Sequence, residues 1–402
     1  MKIKVFFPLI FIVNSLAFPA ASLNEQKFVK GSLADKIQIM QKLSEKETVP
    51  VAKRGLDFAI ENADILASDK DLAKLVIACV KVFPSDPELI AKIPADDLKK
   101  ICERFMTVFK LFKNKELKAA VMEKLELYSS ADSELAVAFL NDYLSTAFKV
   151  GKKTENVIEG AIVSVGRIGN EESLSIIYNI WSSNIWPEYQ AATDEALVLL
   201  SQDSFSDVIK ILSLSKIEDF ARFFSLLHKS SKKSQKSLCE IAENALLIAI
   251  NNAEKLKASG KDSERAFASF QLEAQKILSE YSWSHAANVV NSNILLAKKA
   301  YDEGSMDEAD FVKMIGLSVK IPSSALAQSL TDMLLECNGK VEKADKSGDV
   351  KMPAKSVVLA LISALGVLGD KTSFDALLYV TYLSYPPEVV DEAKKSLAQL
   401  NW

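Results

Sequence analysis

The sequence predicts an all-α protein of the α-solenoid class, a superhelix of stacked antiparallel helical hairpins. Glycine (13) and proline (11) are scarce among 402 residues, and because both residues interrupt helices, the composition favours helix. Hydrophobic residues make up 49% of the chain, which is enough to bury a sizeable core. The third observation is a residue pattern that recurs after 200 positions, as is typical of repeat proteins.

The N-terminus has the character of a secretory signal peptide. Lys2 and Lys4 precede an apolar run from Val5 to Val13, and small residues follow. The apolar run is shorter than the ~20 residues that a membrane-spanning helix needs. We therefore expect residues 1–22 to be removed, with no stable membrane span left, and the mature protein to be periplasmic or secreted. The alternative is an uncleaved N-terminal anchor.

Apolar residues at helical spacing follow along most of the remaining chain. No run of residues is typical of a strand, and the connectors are short and contain Gly, Pro, Ser or Asp. The predicted helices cover residues 33–44, 50–66, 69–83, 96–112, 115–128, 132–149, 204–214, 216–228, 235–257, 263–281, 284–302, 306–318 and 323–337.

Residues 157–201 and 357–401 share one pattern without a gap, namely an apolar helical stripe, two glycines three apart, a polar turn and a later proline. The matched pairs include Gly166 and Gly366, Gly169 and Gly369, Ser173 and Ser373, and Pro187 and Pro387. The pattern predicts a helix, a tight turn, a second helix, a short loop and a third helix in each segment.

The glycines have separate predicted roles. Gly169 and Gly369 stand where a helix ends, so we expect both to adopt positive φ. Gly166 and Gly366 lie one turn earlier on the apolar face, where the missing side chain predicts close approach of a neighbouring helix.

The polar residues of the turn predict how the next helices begin. Asn170 and Asp370 suit the N-cap or turn before the second helix. Pro187 and Pro387 suit the first turn of the third helix, because proline is tolerated there.

The stretches "AIVSVGRIGNEESLSII" and "LISALGVLGDKTSFDALL" resemble the HEAT-repeat (HEAT/armadillo-like) family of α-solenoids, here in an exported protein of bacterial type. The shared features are the apolar stripe, the glycine turn and the following helix. Asp370 matches the acidic turn residue of the family, whereas Asn170 departs from it. The resemblance implies a solenoid with a surface for binding macromolecules.

The sequence divides into five predicted regions. They are a signal peptide (1–22), N-terminal helical repeats (23–150), a HEAT-like repeat block (151–215), a helical insertion or divergent repeats (216–350) and a C-terminal HEAT-like repeat (351–402).

The four cysteines, Cys79, Cys102, Cys239 and Cys337, lie in apolar helical runs without metal-binding spacing. They are expected to be small buried hydrophobic residues. An alternative is a disulfide between Cys79 and Cys102, which lie on successive predicted helices and which export would permit.

Catalytic and cofactor motifs were sought and not found. The two histidines do not form a metal-binding motif, and no phosphate-binding loop, dinucleotide fingerprint or nucleophile elbow is present. His228 is expected at a solvated loop end and His285 in a packing or capping role. We predict no catalytic, cofactor-binding or metal-binding residues. The net charge of −4 makes nucleic acid a poor candidate partner.

The stretch "YNIWSSNIWPEY" supplies the candidate partner-binding residues Trp181, Trp186 and Tyr189. Aromatic residues with a polar group are enriched in interfaces. The alternative is that they belong to the core, and Trp186, just before a predicted helix start, is the one most expected to be exposed.

These observations predict a non-catalytic scaffold or adaptor of the cell envelope, which binds another protein through its solenoid surface. The alternatives are an enzyme-associated envelope factor and a carrier that holds an apolar ligand between helices.

Overall fold

The protein is all-α in a computed structural model that describes residues 22–66, 68–129, 133–151, 157–201, 205–214, 216–230, 234–253, 260–347 and 351–400. These residues form 22 α-helices and contain no strand. The chain divides into two compact units, Met1–Ile168 and Gly169–Trp402. The division falls inside the predicted block 151–215. The predicted signal peptide lies outside the described residues, apart from Ser22.

The first unit contains ten helices in its described part. They are α1 (Leu23–Lys30), α2 (Leu33–Met40), α3 (Glu45–Glu61), α4 (Ala63–Leu66), α5 (Lys70–Val82), α6 (Pro87–Ile90), α7 (Ala95–Leu111), α8 (Lys115–Tyr128), α9 (Ser133–Val150) and α10 (Val157–Ile168).

The main helices of the first unit pack in two layers. In one layer α1 packs on α3 and α3 on α7, and the ring of Phe109 on α7 meets Phe139 and Tyr143 on α9 at centroid distances of 5.2 Å. In the other layer α2 packs on α5, α5 on α8 and α8 on α10. Contacts of α3 with α5, α7 with α8 and α9 with α10 join the layers. Each helix thus buries apolar residues against several neighbours, as in a solenoid.

A buried lysine closes the end of α5. Lys124 on α8 donates to the carbonyl oxygen of Phe83 at 2.6 Å, which leaves that terminal carbonyl satisfied. Phe83 also packs edge-on against Phe105 and Tyr128, with ring centroids 5.2 and 5.8 Å away. Burial lowers the pKa of Lys124. The side chain therefore serves the fold at the junction of α5, α7 and α8.

The second unit contains twelve α-helices in its described part. They are α11 (Glu171–Ser183), α12 (Gln190–Leu200), α13 (Phe205–Leu214), α14 (Ile217–Lys229), α15 (Gln235–Asn251), α16 (Lys261–Glu280), α17 (Ala287–Asp302), α18 (Glu308–Ser318), α19 (Ser324–Ser347), α20 (Lys355–Leu368), α21 (Phe374–Val380) and α22 (Pro387–Ala398).

The second unit alternates strictly between two layers. Helices α11, α13, α15, α17, α19 and α21 pack in that order in one layer, and α12, α14, α16, α18, α20 and α22 pack in that order in the other. The solenoid prediction is confirmed by this arrangement. The segment 216–350 was predicted to be a helical insertion or divergent repeats. Its described helices alternate between the two layers as the neighbouring helices do.

The turn predicted in both repeated segments has the expected geometry at Gly369 and a different one at Gly169. Gly369 has φ +66° and donates its N–H to Leu365 O at 3.0 Å, as predicted. Gly169 is not among the described glycines with positive φ, so that prediction is wrong. There the extended backbone of Asn170 (φ −126°) leads into α11, and its side chain caps the Ser173 N–H at 3.1 Å. An extended N-cap makes a left-handed residue unnecessary.

The later proline also behaves differently in the two segments. Pro387 is the first residue of α22, as predicted. Pro187 begins a 3₁₀ turn, Pro187–Tyr189, which continues into α12.

Gly366 lies at a close contact between α20 and α22, as its place on the apolar face predicted. A Cβ at this position would lie 2.6 Å from Ser396 Oγ and 2.8 Å from Ser396 Cβ. Ser396 is itself fixed, because it is buried and its hydroxyl donates to Ile362 O at 3.0 Å. The contact between the two helices therefore requires glycine. For Gly166 the corresponding close approach stays a prediction.

All four cysteines are buried thiols outside any disulfide, so the expectation of small buried hydrophobic residues is confirmed and no Cys79–Cys102 disulfide is formed. Cys79 packs against Gly55 of α3. The Cys102 thiol donates to Tyr128 O at 2.9 Å.

Gly366→Ala should destabilise the second unit by about 1–3 kcal/mol, because the new methyl group overpacks the α20–α22 contact. The control is Gly316→Ala on α18, where an added Cβ meets nothing within 4 Å. This change should stabilise the protein by about 0.5–1 kcal/mol through helix propensity alone. Thermal melting checks both variants, and equal effects of the two alanines would contradict the account.

The native cysteines should resist thiol reagents at pH 8. Burial raises the pKa of Cys239 and of Cys337 to about 11, with nearby carboxylates also contributing at Cys239, and burial raises the pKa of Cys79. A raised pKa leaves little reactive thiolate at pH 8. Titration with a disulfide reagent should find all four thiols in denaturant and almost none in the folded protein. Rapid reaction of one thiol in the native state is the contrary result.

Candidate functional site

The predicted partner-binding residues form part of the core of the second unit. Trp181, Trp186 and Tyr189 are only 3%, 5% and 7% exposed. The prediction that Trp186 is exposed is therefore wrong. Trp181 and Tyr189 are no more accessible, so the alternative that these aromatic residues belong to the core is the one the structure supports.

Contacts with distant residues explain the burial of Trp181. Its ring packs against Phe223 on α14 at a centroid distance of 6.0 Å, and the guanidinium of Arg222 lies 4.5 Å from the ring centroid. Its indole N–H donates to Asp194 Oδ1 at 2.7 Å. A single helix pattern does not reveal these neighbours, which are supplied by α12 and α14.

Trp186 and Tyr189 are held by the turn before α12. The Tyr189 N–H donates to Trp186 O at 3.0 Å, and the Thr193 hydroxyl donates to Tyr189 O at 2.8 Å. Both rings are buried at this 3₁₀ turn, which stands where the sequence predicted the start of a continuous helix.

The two histidines do not come together. His228 ends the last turn of α14, largely buried, with Nδ1 at 2.5 Å from Glu273 Oε1 and Nε2 at 3.8 Å from Glu280 Oε2. The prediction of a solvated loop end is wrong for His228, because α16 supplies two carboxylates. His285 is exposed and stacks on Trp283 at a centroid distance of 5.8 Å. It lies in a 3₁₀ turn before α17.

The candidate site is a groove of about 520 Å³ at the ends of α17 and α19. We call it the α17–α19 groove. Its lining residues are Lys298, Tyr301, Asp302, Glu308, Cys337, Lys340, Lys351, Met352, Pro353, Ala354 and Val357. Sequence reasoning did not find it, because these residues come from three separated segments of the chain.

An ion-pair network crosses the groove. Lys298 Nζ lies 2.5 Å from Asp302 Oδ2 and 3.0 Å from Glu336 Oε2, and Lys340 Nζ lies 2.7 Å from Glu336 Oε1. Burial works against the charge of Lys298, but its bonds to the two carboxylates outweigh burial and raise its pKa. The bond from Lys340 lowers the pKa of Glu336. These groups are therefore charged and paired.

The floor of the groove is aromatic and apolar. Tyr301 stacks on Phe311 with a centroid distance of 5.0 Å and an interplanar angle of 13°. Burial raises the pKa of Tyr301 and that of Cys337, the latter to about 11. The raised pKa values disfavour ionisation of this phenol and this thiol at neutral pH, so neither is activated as a nucleophile.

Apolar side chains open to solvent occur in the groove and on the two helices beside it. Met352 lines the groove and is 46% exposed, whereas Leu295 on α17 and Leu335 on α19 lie outside the lining and are 48% and 44% exposed. Leu295 precedes Lys298 by one helical turn, and Leu335 is next to Glu336 in the chain. Helical periodicity alone could have placed these leucines in the core. Exposed apolar side chains of this kind can pack against another molecule.

The described residues contain no group of three or more His, Cys, Asp or Glu side chains suited to a metal ion. Within the same residues, no helix combines the length and the apolar character needed to cross a bilayer.

No protein-family model matches the chain, and no curated protein does so either. Among solved structures, the chain has a weak likeness to a "Circular tandem repeat protein with novel repeat topology and enhanced subunit contact surfaces". The two share 12% identity with a TM-score of 0.16, over 94% of this chain and 80% of that chain. A likeness of this degree carries no argument about fold or function.

Trp186→Ala should reduce the free energy of unfolding by about 3–5 kcal/mol, because it removes a large buried side chain. Differential scanning calorimetry against the unchanged protein provides the measurement. A melting temperature that stays the same would mean that Trp186 is not packed as described.

Proposed function

We propose that this protein is a non-catalytic scaffold of the cell envelope and that it binds a segment of another protein across the α17–α19 groove. The observation that carries the proposal is a set of half-exposed apolar residues, Met352 in the groove and Leu295 and Leu335 on the helices beside it, next to the ion pairs of Glu336 with Lys298 and Lys340. Apolar anchors surrounded by ordered polar groups are the usual anatomy of a protein interface.

The free energy of binding the partner segment comes mainly from the apolar side chains. Complete burial of one leucine stabilises by about 1.5–3 kcal/mol, so covering the exposed parts of two leucines and a methionine supplies several kcal/mol before the cost of association. Lys298 and Glu336 lie between the two leucine-bearing helices. Rim charges of this kind orient a partner and exclude wrong ones more than they add affinity.

The spacing of the helices predicts the form of the partner segment. Packed helices lie about 8–10 Å apart, so Leu295 and Leu335 are offered at about that interval across the layer. Three residues of an extended strand span about 10 Å, and two turns of an α-helix span about 11 Å. A segment with apolar residues at every third position when extended, or every seventh when helical, matches the site.

The two alternative functions receive less support. For a carrier, one cavity between helices of the second unit, beside Phe267 and Leu296, has a volume of about 20 Å³ and holds about one water molecule, and charged residues form much of the lining of the α17–α19 groove. In the α17–α19 groove, the raised pKa of Cys337 and the pairing of Lys298 disfavour covalent catalysis. The envelope location rests on the predicted signal peptide, with Lys2, Lys4 and the apolar run from Val5 to Val13.

The proposal predicts that charge on the leucines abolishes partner binding. A photo-crosslinking residue at position 335 should first capture a discrete partner in intact cells. With that partner purified, Leu295→Glu with Leu335→Glu should weaken binding at least a hundredfold, since about 2–4 kcal/mol of apolar contact is lost and two charges would be buried. Calorimetric titration measures the affinity.

The matched control is Val367→Glu on α20, in the opposite layer, where the side chain is 63% exposed. This variant should bind as the unchanged protein does. If Val367→Glu weakens binding as much as the leucine variant, or if the leucine variant binds normally while folded by circular dichroism, the groove is not the docking surface.

A further inference from the structure

A second groove, on the first unit, has a different chemical character. It lies between α1 and α2 and has a volume of about 560 Å³. Leu23, Lys27 and Lys30 line it from α1, and Ile39 and Lys42 line it from α2. Leu23, Lys27 and Lys30 are spaced i, i+4 and i+7, so they share one face of α1. We call this surface the α1–α2 groove.

The three lysines are the uncompensated charges of the α1–α2 groove. In the part of the chain that the structure describes, Lys27, Lys30 and Lys42 make no side-chain hydrogen bond or ion pair. Asp35 also lines the groove, but its carboxylate accepts from the Ser32 N–H at 3.0 Å and from the Ser32 hydroxyl at 2.6 Å. These bonds hold it in the capping box of α2.

Two other acids near the α1–α2 groove lie outside its lining and are bonded to residues of the first unit. Glu25 of α1 pairs with Arg54 of α3. Glu47 of α3 accepts from the Ser44 hydroxyl at 2.7 Å and from Asn24 Nδ2 at 3.0 Å. Charge is thus segregated, with acids bonded inside the unit and lysines left on the outer face.

An exposed aliphatic side chain lines the groove together with the lysines. Leu23 is 65% exposed, and Val29, on α1 but outside the lining, is 60% exposed. A small soluble anion makes no apolar contact, so its binding does not require exposed aliphatic side chains. A short basic helix that also presents aliphatic side chains matches the boundary of an anionic bilayer, where headgroups meet acyl chains.

We propose that the α1–α2 groove docks the protein on the surface of an anionic lipid bilayer. Lys27, Lys30 and Lys42 contact lipid phosphates, and Leu23 enters the boundary between headgroups and acyl chains. The docking is peripheral and independent of partner binding at the α17–α19 groove, which belongs to the other unit.

Vesicle sedimentation tests this proposal with the protein as isolated, each variant having the same N-terminus. The probes are vesicles of phosphatidylcholine alone and vesicles of three parts phosphatidylcholine to one part phosphatidylglycerol. The unchanged protein should partition to the anionic vesicles and lose binding as salt rises. A lysine near an anionic surface contributes about a fivefold gain, so changing all three lysines to glutamine should reduce partitioning roughly a hundredfold.

The control variant changes Lys92, Lys113 and Lys115 to glutamine, which removes the same charge from exposed positions elsewhere on the first unit. It should keep the partition coefficient of the unchanged protein within about twofold. Leu23→Ser, whose exposed side chain is not needed for folding, should reduce binding severalfold without changing the salt dependence.

Three results would overturn the proposal. They are equal loss in the groove and control variants, equal binding to vesicles with and without phosphatidylglycerol, and no binding of the unchanged protein. Competition by inorganic phosphate at concentrations that leave ionic strength constant would assign the α1–α2 groove to a soluble anion instead.

Discussion

A buried side-chain amide, Asn293, connects three helices at the centre of the second unit. Its Oδ1 accepts from Gln271 Nε2 at 2.7 Å, and its Nδ2 donates to Gln275 Oε1 at 2.7 Å. Gln275 in turn donates to Met314 O at 2.8 Å. The bonds join α17 to α16 through both glutamines, and Gln275 then joins α16 to α18. Because a buried amide without its partner costs about 1–3 kcal/mol, the network disfavours any sliding of these helices past one another.

The position of the α17–α19 groove depends on this fixed register. Lys298 and Tyr301 lie on α17 beyond Asn293, so a shift of that helix would separate Lys298 from Glu336. On α19, the buried Asn338 has a similar role, since it donates to Ala376 O at 3.0 Å and accepts from the Tyr385 hydroxyl at 3.1 Å. The buried amides of Asn293 and Asn338 thus fix the positions of α17 and α19, the helices that carry the exposed leucines.

Sequence reasoning predicted what is local. The helical stripes and the left-handed Gly369 follow from periodicity and backbone sterics, which act within a few residues. The errors concern residues whose surroundings come from far along the chain. Trp186 is the local exception, since it precedes a 3₁₀ turn where a helix start was expected. His228 is held by a carboxylate 45 residues away, and the exposed Leu335 has the same local pattern as a core leucine. Contacts between residues that are far apart in the chain cannot be inferred from a single sequence.

The central claim is that the Asn293 network fixes the helices that form the α17–α19 groove. Native-state hydrogen exchange of Asn293→Leu, compared with the unchanged protein, tests it most directly. We expect the free energy of local opening of α16, α17 and α18, measured by exchange, to fall by about 2–5 kcal/mol. The reason is that Gln271 Nε2 and Gln275 Oε1 lose their hydrogen-bond partner. Unchanged exchange in those helices would show that apolar packing alone sets their register and would contradict the account.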